Sequence, residues 1–338
     1  MFAYVVRRLF IGVILLIVMS LVTFLLFFLM PQDPARVACG KNCSIAQIKQ
    51  TEKALGYDKP ALTQWTDFLQ GVVVGREYPE DKSLREKAPE LISDCDAPCL
   101  GYSRVNQVTV AEEIKEAFPV SLSLAIFAFL MWIIGGVLFG VIAAVTKGTI
   151  IDRGIVAISL VFYAFPTFFI GLFLLKFVAI KWGLVDVPSY TTIAEGGVGG
   201  WLSNLFLPSL TLALFFMAGY VRMTRAFVLE SMTEDYIRTA RAKGLKRGPV
   251  LFKHTMRAAL TPLVTMAGLD FAGLLGGAII TESVFNFNGL GKLVVDANVS
   301  YDLPTLIGLV VLLGSFVIVA NIIVDVLYAV IDPRVRVA

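Results

Sequence analysis

The sequence predicts an all-α membrane protein with six transmembrane helices and an extracytoplasmic loop or small domain between the first and second. Three observations point there. Hydrophobic residues make up 57% of the 338, against 16% charged, a balance that leaves too little polar surface to cover a water-soluble fold. The apolar residues are gathered into six stretches, at about 9–30, 118–145, 154–180, 202–221, 258–281 and 305–331. Each has roughly the 20 residues needed to cross a hydrocarbon core of about 30 Å. The charges lie between these stretches and are distributed by side: Arg7, Arg8, Lys147, Arg153, Arg334 and Arg336 fall on one side, while the short connections opposite carry only Lys181 and Lys292. Basic residues mark the cytoplasmic side, so both termini are expected there.

The first apolar run follows Arg7 and Arg8 and ends at Met30-Pro31. At 1.5 Å per residue it spans roughly 33 Å, and it lacks the short core and small-residue cleavage site of a signal peptide, so a retained helix is expected. Residues 31–116 are polar, mixed in charge and punctuated by six prolines, as suits a sizeable outer segment. The expected division is therefore 1–30 for the N-terminal segment and first helix, 31–116 for the outer segment, 117–331 for a five-helix core, and 332–338 for a cytoplasmic tail. Within the core, Pro166 is placed to bend the third span. Gly136-x-x-x-Gly140 and Gly273-x-x-x-Gly277 offer small faces that suit either ordinary helix packing or a dimer interface.

Residues 222–257 hold nine of the 29 Lys and Arg, between two apolar stretches. A loop that basic belongs in the cytoplasm. Inside it Tyr236, Ile237, Ala240 and Gly244 recur at i, i+1, i+4 and i+8, which predicts a short helix with one narrow apolar and small face suited to docking a partner.

All four cysteines, Cys39, Cys43, Cys95 and Cys99, fall in the outer segment as two C-x-x-x-C pairs. An oxidising compartment makes disulfides the first expectation; three pairings are open, and a four-thiolate metal site is the sharper alternative. Asp270, Glu282 and Asp325 lie in or at the ends of apolar stretches, where a carboxylate is costly enough to suggest function. Asp270 is the deepest, and is either a group on a water-filled path that attracts an amino group or one paired within the bundle. Glu282 and Asp325 sit nearer the interfaces, where hydration or helix-end pairing is expected.

Several function classes are excluded. A net charge of +3, segregated by topology, does not suggest nucleic acid. One histidine and no zinc-protease, nucleophile-elbow or phosphate-loop pattern leave no apparatus for hydrolysis or nucleotide binding. The chain is expected to be neither an enzyme nor a metal or cofactor protein. An ion-coupled secondary transporter would need internal repeats with broken helices and midplane ion ligands, for which only Asp270 speaks.

The ordered set of motifs resembles the inner-membrane permease subunits of binding-protein-dependent peptide importers, in the dipeptide, oligopeptide and nickel branch of the ATP-binding-cassette superfamily. The likeness runs through Tyr4-Val-Val-Arg7-Arg8-Leu9, Leu207-Pro208-Ser209-Leu210-Thr211-Leu212, the run from Asp235 to Leu245, Leu274 through Ala278 to Glu282, Gly289-Leu-Gly291, and Asp325 through Tyr328 to Asp332-Pro333-Arg334. It implies a type I ABC importer permease-like fold in a prokaryotic plasma membrane. It also implies a homologous second permease, two ATPase subunits that bind the ATP and Mg, and an extracytoplasmic substrate-binding protein that delivers short peptides. Relatives of similar sequence carry nickel chelates, glutathione and small glycosides. The resemblance places ATPase coupling on Tyr236, Arg238, Ala240, Arg241 and Gly244, with Ala240 and Gly244 as its small pair. The outer segment and its cysteines, and Ala258 where the family has Asn, depart from the pattern.

Overall fold

The computed structural model describes residues 2–28, 34–39, 43–87, 89, 92–275 and 278–331. These form two units, residues 1–119 with 288–322 and residues 120–287 with 323–338. Helix α6 and helix α15 each run from one unit into the other.

The first unit begins with α1 (Phe2–Phe28), whose exposed Leu9, Phe10, Val13 and Leu26 suit a lipid surround. Behind it come α2 (Pro34–Cys39), α3 (Ile45–Leu55), α4 (Ala61–Val74), β1 (Arg76–Tyr78), α5 (Lys82–Lys87), β2 (Ser93–Cys95), β3 (Tyr102–Ser103) and β4 (Val108–Thr109). Helix α3 starts from a reciprocal cap between Ser44 and Gln47 and stops at left-handed Gly56. β1 pairs antiparallel with β2, and β3 with β4. This segment is tied to the first span: Trp65 Nε1 on α4 donates to Ser20 Oγ of α1 at 3.1 Å, and Phe68 packs on Phe24 with centroids 5.3 Å apart.

The cysteines form two local bridges, Cys39–Cys43 and Cys95–Cys99, which closes the question of pairing. No thiolate is left for the metal reading, and among the described residues no cluster of His, Cys, Asp and Glu could hold a metal ion. Cys95 and Cys99 are buried with Tyr78, whose ring stacks on Tyr102 at 5.5 Å. The bridge therefore serves as part of a small core.

The next long helix, α6 (Val110–Val145), starts before the apolar stretch because Thr109 and Glu112 cap it reciprocally. Helix α7 (Ile150–Ala164) and α8 (Thr167–Phe173), which continues through a π-helical stretch Leu174–Lys181, meet at an angle of 101°. Proline 166 thus breaks the span outright. It holds Phe165 at φ −85°, ψ 136°, the extended region to which a following proline confines its predecessor. Helix α9 (Ile193–Ser231) continues ten residues beyond the apolar stretch, so Arg222 and Arg225, expected in a loop, are helical. Then follow α10 (Asp235–Ala242), α11 (Arg247–Pro249), a π-helical turn Val250–Thr255, α12 (Met256–Leu275) and α13 (Ile279–Phe285), the helices on either side of the last junction bent by 53°. In the first unit α14 (Leu290–Val299) precedes α15 (Leu303–Ile331).

Among the described residues four helices are long and apolar enough to cross a membrane, and up to six crossings result if each bent pair is one. The core of the second unit is built on Leu124, Trp132, Leu205, Leu207, Leu263 and Phe287, all buried. The Gly136-x-x-x-Gly140 face is spent inside this unit: a methyl group at Gly136 would lie 2.5 Å from Tyr220 Cβ, and one at Gly140 2.5 Å from Thr224 Cβ. Gly273 faces open space, while Gly277 lies outside the described residues. In the first unit Ala117, Leu290 and Leu309 form a second buried cluster, flanked by Phe118 and Phe316.

Candidate functional site

Helix α10 is the short helix predicted from the basic connection. Asp235 in its first turn and Arg241 in its last suit the helix dipole. The Arg238–Asp235 ion pair, 3.4 Å apart on an exposed face, contributes little. The predicted apolar face is divided. Ile237 and Ala240 are buried with Val250 of the following turn, so they anchor α10 to its own chain. Ala240 is therefore not on the open side. Tyr236, 43% exposed, and Arg238, Thr239 and Arg241 are what α10 presents outward.

Gly244 ends the helix with φ +76°, its N–H bonded to the Arg241 carbonyl at 2.9 Å, and the Leu245 N–H reaches the Ala240 carbonyl. A side chain there would meet nothing within 4 Å. The requirement at this position is the left-handed backbone of a helix C-terminus, which glycine adopts freely. Beside α10 lies an open cleft of about 380 Å³ lined by Phe227, Glu230, Ser231, Glu234, Tyr236, Ala258, Ala259 and Pro262.

The stem that leads into α10 is clamped. Arg225 of α9 forks onto both carboxylate oxygens of Asp152 on α7, at 2.7 and 2.8 Å, and the Gly148 N–H adds a third bond to Asp152 at 2.9 Å. Arg222, three residues earlier, lies 4.6 Å over the ring of Tyr163. A bidentate guanidinium–carboxylate pair fixes orientation as well as distance. Sequence reasoning did not single out this clamp. The one available signal was an acidic residue three positions after Thr149 in an otherwise basic connection, a capping pattern that says nothing of a distant arginine.

The intramembrane carboxylates have different surroundings. Asp270 is partly exposed and accepts a hydrogen bond from Tyr220 Oη at 2.6 Å. Glu282, expected to be hydrated or paired at a helix end, is wholly enclosed in the first turn of α13, and Ser121 Oγ donates to it at 2.6 Å. The α6 backbone carries that hydroxyl against it, so a buried donor takes the place of water. The Asp325 side chain lies outside the described residues.

A polar junction in the first unit was also not foreseen. Asp302, ahead of α15, is buried; Ser103 Oγ of β3 donates to it at 2.5 Å, and Thr305 Oγ1 lies 3.0 Å from Asp302 and 2.8 Å from Glu113 of α6. Burial holds the Asp302 carboxyl above the usual carboxylate range, against the lowering effect of the Ser103 and Thr305 hydrogen bonds.

Known proteins resemble the chain over its full length. The family model described as the inner membrane component of binding-protein-dependent transport systems matches residues 136–337, and the N-terminal model of such membrane components matches residues 1–125. The probable peptide ABC transporter permease protein y4tP of Sinorhizobium fredii is 33% identical over 98% of this chain and 99% of its own. The dipeptide transport system permease protein DppB of Escherichia coli K12 is 33% identical over 99% of each chain. Among solved structures, a chain of the inward-facing MetNI methionine ABC transporter superposes with a TM-score of 0.54 at 19% identity, over 65% of this chain and 97% of that one, a likeness of fold. Four to six apolar crossings, a short basic helix on a clamped stem and two family models that between them match nearly every residue have one common account: the chain belongs to the family of inner membrane components of binding-protein-dependent transport systems.

Proposed function

We propose that this chain is a permease subunit of an ATP-driven importer of short peptides, paired with a homologous permease on two ATPase subunits that bind the ATP and Mg, and served by an extracytoplasmic capture protein. Full-length likeness to permeases named for peptide and dipeptide transport carries the reading. Both termini and α10 lie on the cytoplasmic side of a prokaryotic plasma membrane, which agrees with the basic side of the sequence. Residues 31–116 form the extracytoplasmic segment, whose disulfide-bridged core offers the capture protein a firm surface.

In this reading the chain performs no hydrolysis. Tyr236, Arg238 and Arg241 contact an ATPase subunit, the guanidinium groups pairing with its carboxylates. Ile237 and Ala240 hold α10 to the permease, and Gly244 ends it. Closure of the ATPases would move α10 as a rigid body, because its inner face is anchored and its stem is clamped by Asp152 and Arg225.

The test is purification through a tag on this chain in mild detergent, followed by reconstitution and assay of peptide uptake. Co-purifying ATPase and second-permease subunits with ATP-driven uptake, lost in Arg238→Glu/Arg241→Glu while the chain still inserts, is the expected result. A lone chain, or uptake indifferent to ATP, would overturn the proposal.

A further inference from the structure

Asp270 has an uncommitted oxygen in a place where one is costly. It stands 12 residues into the 24-residue apolar stretch 258–281, and therefore near the middle of that span. Among the described residues Tyr220 provides its only hydrogen bond, to Oδ2, which leaves Oδ1 without a protein donor. Met266, Leu269, Asp270 and Gly273 fall at i, i+3, i+4 and i+7 on one helix face. Met266, Leu269 and Gly273 are exposed, Asp270 is partly so, and nothing lies within 4 Å of the position a side chain would take at Gly273. A carboxylate on such a stripe does not belong against lipid, so this side of the second unit faces water, a ligand or a partner subunit.

Next to the carboxylate is an aromatic wall. Tyr220 lies 6.3 Å from Trp132, which stacks on Phe216 at 4.6 Å and meets Phe129 edge-on at 5.1 Å, and Phe129 meets Phe271 at 5.0 Å. Ring faces attract cations, and a carboxylate beside them adds the counter-charge. The indole N–H of Trp132, buried in this wall, has no acceptor among the described residues. An ion-pair role within the chain is not served, because among the described residues no basic side chain forms an ion pair with Asp270. Tyr220 fixes the carboxylate by donating to one oxygen, and the other is left for a donor that comes and goes.

We infer that Asp270, positioned by Tyr220 and backed by Phe129, Trp132, Phe216 and Phe271, is a mid-membrane subsite for the protonated amino group of a substrate in transit. For a peptide the ammonium donates to Asp270 Oδ1 beside the partly buried rings of Phe129, Phe216 and Phe271, Trp132 itself being wholly buried. The inference rests on the peptide-importer reading.

The experiment uses the reconstituted complex and two substrates: alanyl-alanine, and lactyl-alanine, in which a hydroxyl replaces the amine. Each is given at a concentration that saturates the capture protein. Asp270→Asn is compared with wild type, and the ratio of the two uptake rates is read, so that any preference of the capture protein cancels. The ratio should fall about tenfold in Asp270→Asn, the scale of one charge-assisted hydrogen bond, and return toward wild type in Asp270→Glu. Equal loss for both substrates, with or without loss of the assembled complex, would assign Asp270 to helix packing or to a partner permease and overturn the inference. An unchanged ratio would do the same. Absence of ATP-driven uptake of alanyl-alanine by wild type would instead overturn the importer reading itself.

Discussion

Replacing Gly136 or Gly140 by alanine should loosen α6 from α9 within one chain. The added methyl would stand 2.5 Å from Tyr220 Cβ in the first case, and in the second 2.5 Å from Thr224 Cβ and 2.8 Å from the Val221 carbonyl oxygen. Carbon atoms in good contact lie about 3.5–4.0 Å apart, so the helices must part locally by roughly 1 Å. Overpacking of this kind costs about 1–3 kcal/mol per site. With roughly 2–4 °C per kcal/mol for a large domain, either variant should melt about 2–12 °C below wild type. The two sites are one helical turn apart, and a single separation of the helices relieves both, so the double variant should lose less than the sum of the singles. The assay is the thermal midpoint of the purified chain in mild detergent, read by retention of the monodisperse species. Gly136→Ala should also lower uptake more than Gly140→Ala, because Gly136 backs Tyr220 and Tyr220 holds Asp270. Unchanged midpoints together with loss of the second permease would show that the stripe is an intermolecular face and that the packing argument is wrong.

Asp152→Asn should lower the peptide taken up per ATP hydrolysed, and Arg225→Lys should do so comparably, since an ammonium cannot fork onto both carboxylate oxygens; unimpaired coupling in both would dismiss the clamp. At Gly244 the order of uptake should be Gly, then Asn, then Ala, then Leu, because a left-handed residue other than glycine costs about 1–2 kcal/mol and asparagine least. Asparagine as inactive as leucine would point instead to a partner in close approach at that position. For Asp302, burial raises the folded-state pKa above the unfolded one, so its contribution to stability is full below about pH 4 and is lost as pH rises through the raised value. Asp302→Asn should remove that decline. Thermal midpoints of both proteins from pH 4 to about pH 8 measure the difference, and parallel curves would refute it.

The spans were legible because a crossing needs only about 20 apolar residues, whatever its neighbours are. Their ends and breaks were less so. Arg222 and Arg225 end the apolar stretch but not α9, because the Tyr163 ring and the Asp152 carboxylate take up their charge, and neither partner is near in sequence. Pro166 was visible as a perturbation, yet a proline alone does not give the 101° between the helices on its two sides. On α10 the spacing found the helix and the face but not what covers it. Val250, a residue beyond the helix, turns Ile237 and Ala240 inward and leaves Tyr236, Arg238 and Arg241 outside. The cysteine pairing was open because chain order does not set distance.

The two carboxylates of the second unit show most clearly what periodicity and depth leave undecided. By position Asp270 is the deeper and should be the better enclosed, but enclosure depends on which helix crosses the site. Helix α6 brings Ser121 against Glu282, and the buried acid is supported from inside the chain. The same helix brings Trp132 to within 6.3 Å of Tyr220, which holds Asp270, and Asp270 itself stays partly exposed. One acid is therefore part of the packing, while the other keeps an oxygen with no donor among the described residues. Helix α9 carries both Tyr220, which holds that acid, and Arg225, which clamps the stem of α10, five residues and roughly 7.5 Å apart along a continuous helix. A displacement of α10 that moves the end of α9 as a rigid element must then also reposition the hydroxyl on which Asp270 depends. On the proposed reading, energy coupling and substrate contact thereby meet on one helix, although neither tyrosine nor arginine stood out in the sequence for that role.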